Sequence, residues 1–126
     1  MATFGTAINC IDGRVQVPVI EYLKGEFELD YVDSVTEPGP ITLFADSENE
    51  AIPRILQKVA ISAEKHGSKN LAIVGHFDCA ANPVDEEKQK RQIRHAIRAL
   101  NKLLGDRMQV LGLWVDDQWT VHRVTE

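Results

Sequence analysis

An α/β fold with a mainly parallel central sheet, helices on both faces and an antiparallel C-terminal edge hairpin is the class this sequence predicts. Three observations predict it. Strand-like and helix-like patterns alternate along the chain. The run "KNLAIVGHFDC" is apolar through its centre, as a strand buried on both faces must be. The last two strand-like runs are separated only by "DDQ", which suits a hairpin. At 126 residues the chain is expected to be one domain, residues 1–126, with a single sizeable core.

The elements follow in order. "TFGTAINCID" reads as a first strand, and "QVPVIEYLKGEF" as a helical crossover with Pro18 tolerated near its start. "LDYVDSV" is a second strand, ended by "TEPGP", whose Pro38, Gly39 and Pro40 exclude regular structure. In "DSENEAIPRILQKVAISAEKHG", Ser47 and Glu50 have capping-box spacing, and Ile52, Ile55, Leu56, Val59 and Ala63 recur on one helical face. Pro53 places the helix start near Asn49 or Glu50, and Gly67 is a fitting stop. After the third strand, "NPVDEEKQKRQIRHAIRALNKLLG" is a helix for which Asn82 can cap and Pro83 suits the first turn; Ile93, Ile97, Leu100 and Leu104 make its stripe. "MQVLGLWVDD" and "WTVHRVTE" are the closing strands.

Composition narrows the function. Hydrophobic residues are 44% and charged residues 26% of the chain, as in ordinary globular proteins. The net charge is −5 and the basic run "KQKRQIRHAIR" follows "DEE", so it reads as a solvated helix face and no nucleic-acid partner is expected. Neither a membrane-spanning run nor an export leader is evident, and a cytoplasmic location is expected. Cys10 and Cys79 could pair as a disulfide, but in a reducing compartment such thiols are more often buried, reactive or metal-binding.

The stretch "NCIDGR" sets a thiol, a carboxylate and a guanidinium at alternate positions. A phosphatase loop would need arginine where Gln16 stands. A haloacid-dehalogenase nucleophile would be an aspartate where Cys10 stands, and a dinucleotide turn needs more than the one Gly13. A metal site remains, and it needs partners. "GHFDC" supplies His76 and Cys79 at the end of the third strand. If the first and third strands are neighbours, Cys10, His76 and Cys79 converge at a sheet switch point, three ligands with a fourth position free for water. Asp12, two residues beyond Cys10 on an extended segment, would face the same side and aim a metal-bound hydroxide; Arg14 would hold Asp12 ionised through a forked pair of hydrogen bonds.

At these residues the sequence resembles the β-class carbonic anhydrases, which carry Cys-x-Asp-x-Arg after the first strand and His-x-x-Cys after the third; "CIDGR" and "HFDC" match both in order. The likeness extends through "VAISAEKHGSKNLAIVGHFDCA" and, more weakly, "VLGLWVDDQWTVHRV". It implies a compact, divergent zinc enzyme that interconverts carbon dioxide and bicarbonate. Cys10, His76 and Cys79 would be its zinc ligands, Asp12 and Arg14 its catalytic dyad, and a homodimer or higher homo-oligomer its assembly. It also implies a closed state in which Asp12 takes the place of water on zinc. Departures from the family pattern are a first strand starting almost at Met1, "TEPGP" in place of an "NAGG"-like stretch, Ala80 where glycine is usual, and a shortened segment before the last helix. They point to a reshaped pocket, and two alternatives stay open: a zinc hydrolase of carbonyl sulfide or carbon disulfide, and a non-catalytic zinc-binding domain.

Plainer readings stand beside these. Each cysteine alone would be a small buried hydrophobe, and Asp12 with Arg14 a structural ion pair. Asp78 is expected to make local backbone hydrogen bonds, and Phe77, Trp114 and Trp119 to be core or interface residues, with the edge near the two tryptophans available for pairing. His66 is expected at a helix end, His95 on a helix surface and His122 on an edge strand.

Overall fold

In the computed structural model, which describes residues 1–125, the chain runs β1 (Phe4–Cys10), α1 (Gln16–Phe27), β2 (Tyr31–Glu37), α2 (Ala51–Lys65), β3 (Asn70–His76), α3 (Glu86–Leu104), β4 (Gln109–Val115) and β5 (Val121–Val124). Short 3-10 turns occupy Gly13–Val15, Pro40–Ala45 and Gly105–Arg107. The strands form one sheet in the order β2-β1-β3-β4-β5, parallel except for the β4–β5 hairpin. Glu126, the end of the expected last strand, lies outside the described residues.

Both faces of the sheet are covered because the strands alternate their apolar side chains. Ile8, Leu71, Ile73 and Trp114 pack with α2 and α3, whereas Ala7, Ala72, Val74, Leu113 and Val115 pack with Val19 and Leu23 of α1. The α3 stripe of Ile93, Ile97, Leu100 and Leu104 is buried as its spacing predicts. Two glycines let α3 lie close to the sheet. A Cβ on Gly112 would sit 2.5 Å from Ile93 Cγ2, and one on Gly75 would sit 2.8 Å from Gln89 Oε1. The second approach brings Gln89 against the end of β3.

Three local expectations are corrected. α3 starts at Glu86, capped by Asp85, whose Oδ1 accepts the Lys88 N–H at 2.9 Å. Asn82 instead donates to Gln92 Oε1 at 2.8 Å, so residues 77–85 form a loop rather than a first turn. At α2 the Ser47–Glu50 box does not form; Glu50 stands at the cap with no side-chain bond, and Asn49 Oδ1 accepts the Ala51 N–H at 2.9 Å. "TEPGP" is also more regular than its composition suggests. β2 continues through Glu37, and Pro40 opens the 3-10 turn, a position that needs no N–H donor. Ile41 and Phe44 of that turn are buried in the core.

Strands β1 and β3 are neighbours, as the convergence of the two cysteine motifs requires. The chain leaves β1 toward β2 on one side and β3 toward β4 on the other, so the strand order reverses between them. The carboxyl ends of β1 and β3 flank that switch point, where side chains collect in open α/β sheets.

Candidate metal centre

Cys10 ends β1, His76 ends β3, and Cys79 follows three residues later in the loop. Their donor atoms lie within 4.8 Å of one another, and the two sulfurs are 3.9 Å apart. All three residues are buried. Burial pushes the Cys79 thiol up, and Cys10 beside it adds to the effect, so the thiolate needs a cation near it.

His76 is held on two sides. Its backbone N–H donates to Gln89 Oε1 at 3.0 Å, and Gln89 Nε2 donates to the His76 carbonyl at 2.8 Å. Its Nδ1 lies 2.7 Å from the Phe77 carbonyl oxygen, an atom that only accepts, so Nδ1 carries the proton and Nε2 presents a lone pair. That Nε2 is buried without a hydrogen-bond partner; among the described residues the one other such side-chain atom is Trp114 Nε1. A buried lone pair facing two thiols, with the ring tautomer fixed by a carbonyl, is the arrangement of a metal-ligating histidine.

The Cys10 side is stitched by amides. Asn9 Oδ1 accepts the Cys10 N–H at 2.9 Å while Asn9 Nδ2 donates to the Val15 carbonyl at 3.2 Å. Gln16 Nε2 donates to the carbonyls of Cys10 at 2.6 Å and Asp12 at 3.0 Å. β1 therefore ends at Cys10, and Asp12 reaches the site by another route than an extended segment: it caps the turn Gly13–Val15, its Oδ1 accepting the Arg14 N–H at 2.9 Å. Asn9, Gln16 and Gln89 escaped the sequence reading because a single amide leaves no periodic or motif signal.

Asp12 and Arg14 meet as expected. Nε donates to Oδ1 at 3.0 Å and Nη2 to Oδ2 at 2.7 Å. The guanidinium hydrogen bonds hold the Asp12 carboxyl down, from 3.8 to about 2. Asp12 Oδ2 lies 4.0 Å from His76 Nε2, at the rim of the donor cluster. Asp78 turns its carboxylate to Arg14 rather than to local backbone: Nη1 donates to Oδ2 at 3.3 Å and Nη2 to the Asp78 carbonyl at 3.1 Å.

Beside Cys79 opens a cleft of about 610 Å³, walled by Phe77, Ala80, Val84, Trp114 and Asp116 among others. Phe77 is exposed there and so is not a core residue, while Trp114 is in the core. Trp114 also lies one strand in from the β5 edge, so it offers no pairing surface. Away from the site, His66 sits at the end of α2 on Asp33, His95 is exposed on α3, and His122 lies on β5 bonded to Asp116. Among the described residues, no helix is long and apolar enough to cross a membrane.

A family model described as "Putative carbonic anhydrase" matches residues 1–125. No curated protein matches the sequence. Among solved structures, the chain is similar to a tetrameric β-carbonic anhydrase of Sordaria macrospora, at 12% identity and TM-score 0.68 over 100% of this chain and 82% of that one. It is likewise similar to β-carbonic anhydrase isoform I of Trichomonas vaginalis, at 13% identity and TM-score 0.63 over 96% and 81% of the two chains. A carbonic anhydrase of Streptococcus mutans matches at 16% identity and TM-score 0.56, over 95% and 80%. At these identities the solved structures establish the shared fold.

Proposed function

The chain belongs to that carbonic anhydrase family, and from this premise we propose that residues 1–126 act as one zinc-dependent lyase that reversibly hydrates carbon dioxide to bicarbonate. Cys10, His76 and Cys79 are its metal ligands, and Asp12 and Arg14 its catalytic pair. The observation that carries this reading is the buried, partnerless Nε2 of His76 facing two thiols.

The donor set fits zinc. Two thiols and an imidazole suit a borderline-soft cation, whereas magnesium and calcium seek oxygen. Tetrahedral zinc with Zn–S bonds of about 2.3 Å sets two sulfurs about 3.8 Å apart; here they are 3.9 Å apart. When bound at these residues, zinc supplies a Lewis acid that lowers the pKa of a coordinated water from about 15.7 toward 7.

The chain's own groups supply direction. Asp12, ionised far below neutral pH, can only accept hydrogen bonds, so it orients the reacting water and leaves the water's lone pair aimed at carbon dioxide. It is too weak a base to serve as the general acid near neutrality. Both Asp12 oxygens already accept from Arg14, which supports an open arrangement over one with Asp12 as a fourth ligand. Phe77, Ala80 and Val84 give the neighbouring cleft an apolar wall that suits an uncharged linear substrate, beside the carboxylates of Asp78, Asp85, Glu86, Asp116 and Asp117. The product proton leaves to solvent or buffer.

The two thiols must stay reduced to act as ligands, which favours a cytoplasmic setting. A homo-oligomer is part of the proposal, supported by the tetrameric relative, and light scattering of the purified chain tests it. The activity is tested by stopped-flow hydration of carbon dioxide by zinc-quantified protein between about pH 6.5 and 9. The expected result is a rate above buffer that rises with pH. A flat background rate from fully zinc-loaded protein overturns the lyase, and running carbonyl sulfide on the same preparation tests the closest alternative substrate.

A further inference from the structure

Among the described residues three non-glycine residues have a left-handed backbone: Glu28 at φ 53°, Asp78 at φ 58° and Trp119 at φ 61°. Glu28 is the residue that ends α1, a common place for that conformation. The other two lie far apart in sequence, and both touch Arg14. Asp78 does so through its carbonyl and carboxylate. Trp119 does so through its ring, whose centroid is 4.6 Å from the guanidinium carbon.

A bulky side chain holds such a φ only when its surroundings over-determine it. Here the turn between β4 and β5 is wound around Asp116. Asp116 Oδ1 accepts the N–H groups of Gln118 and Thr120, each at 2.9 Å, and Oδ2 is 2.6 Å from His122 Nε2. The Trp119 N–H donates to the Asp116 carbonyl at 3.0 Å, and the Asp116 N–H to the Thr120 carbonyl at 3.0 Å. The indole that results is half-buried and packs beside the α1-side core, with Arg14 stacked on it.

Arg14 needs such a platform. Its side chain is 45% exposed, and a long side chain with that freedom samples many rotamers unless its planar face is held. The in-plane edge of the guanidinium is taken by Asp12 and Asp78, and a face is taken by Trp119.

We infer that Trp119 is a positioning residue: its indole, presented by the Asp116-centred turn, fixes the plane of the Arg14 guanidinium and through it the direction in which Asp12 accepts a hydrogen bond. The catalytic consequence rests on the function proposed above; the placement of Arg14 does not.

The test uses the full zinc-loaded chain as wild type and as Trp119→Phe, Trp119→Ala and Trp119→Asn. Asparagine tolerates the left-handed backbone, so it removes the ring without the strain and guards against a misfolded alanine variant. Two quantities are read: the order of the Arg14 Nε–Hε bond by nitrogen relaxation, and the kcat and KM of carbon dioxide hydration. The expected result is a rigid, ring-shifted Nε–Hε signal in wild type that becomes mobile in the alanine and asparagine variants. In those variants kcat falls about tenfold with KM little changed, and phenylalanine restores most of both readouts. A rigid Arg14 in the folded alanine or asparagine variant overturns the assignment, and so does a mobile Arg14 with unchanged kcat in an active enzyme. A wild type that does not hydrate carbon dioxide, with Arg14 freed by removal of the ring, overturns the proposed function and supports the placement of Arg14 by Trp119.

Discussion

The two ends of the β1 region both carry polar clusters sunk in the fold, and they are built on opposite principles. Near its start, Thr6 Oγ1 lies 2.6 Å from Ser62 Oγ and 2.7 Å from Ser68 Oγ, and Ser62 donates to Asp33 Oδ2 at 2.7 Å. Because Ser62 spends its proton on Asp33, Thr6 donates to Ser62, and Ser68 shares its one proton between Thr6 and the Asn70 carbonyl, 3.3 Å away. The chain closes on a carboxylate that His66 Nδ1 also meets, at 2.6 Å. Every hydroxyl there has a partner within the protein. At the far end the donors are two thiols and a histidine nitrogen with no partner. A cluster that satisfies itself ties α2, β1 and β2 together; a cluster that leaves a buried lone pair facing two sulfurs is complementary to something from outside.

If the centre binds zinc as proposed, the largest effect that would break this contrast is loss of that metal from one ligand change. Cys79→Ser is expected to lower zinc affinity by more than about 100-fold, beyond the usual cost of losing a supporting residue. Metal analysis after dialysis against a weak chelator checks it, and full retention of zinc would remove the distinction between the two ends. Next, Gln89→Leu strips both backbone braces from His76 and is expected to cost about 10- to 100-fold in zinc affinity, read by competition with a chromogenic chelator. At the other end, Thr6→Val keeps the shape but interrupts the hydroxyl chain. It is expected to cost about 1–3 kcal/mol of stability in urea unfolding, with zinc content unchanged.

The smallest effect concerns pH. The folded Asp12 carboxyl is lowered from 3.8 to about 2, so its contribution to stability is complete above 3.8 and is lost as pH falls through about 2. Asp12→Asn is therefore expected to flatten the fall in melting temperature across that window, compared by scanning calorimetry with wild type. At neutral pH the same variant should lose activity without moving any inflection in the rate profile, since Asp12 does not titrate there.

Periodicity made the helices and the buried strands legible, because each buries one repeating face: the α3 stripe and the apolar centre of β3 were written plainly. The cluster of Cys10, His76 and Cys79, a group that could hold a metal, was legible because thiols and imidazole at motif spacing are rare letters in a short chain. What stayed hidden depended on contacts between distant segments. Whether Asn82 or Asp85 caps α3 is decided by which side chain reaches the Lys88 N–H, and Asn82 is drawn away to Gln92. The Asp12 turn was missed because an Asx-type bond to the Arg14 N–H ends the extended segment early. Trp119 reads as one more core or interface aromatic, for nothing local signals that a residue 105 positions after Arg14 will carry its guanidinium.

The pairing of β1 with β3, through Thr6 with Leu71 and Ile8 with Ile73, has a kinetic consequence. Neither half of the centre is a site by itself: Cys10 brings one donor, and His76 with Cys79 brings two. The halves come together only when two strands separated by α1, β2 and α2 have joined, a contact between distant parts of the chain that forms slowly compared with local helices. If the centre holds zinc as proposed, a refolding chain cannot capture it tightly before that pairing, so a chelating dye present during refolding would time the moment at which the centre of the sheet closes.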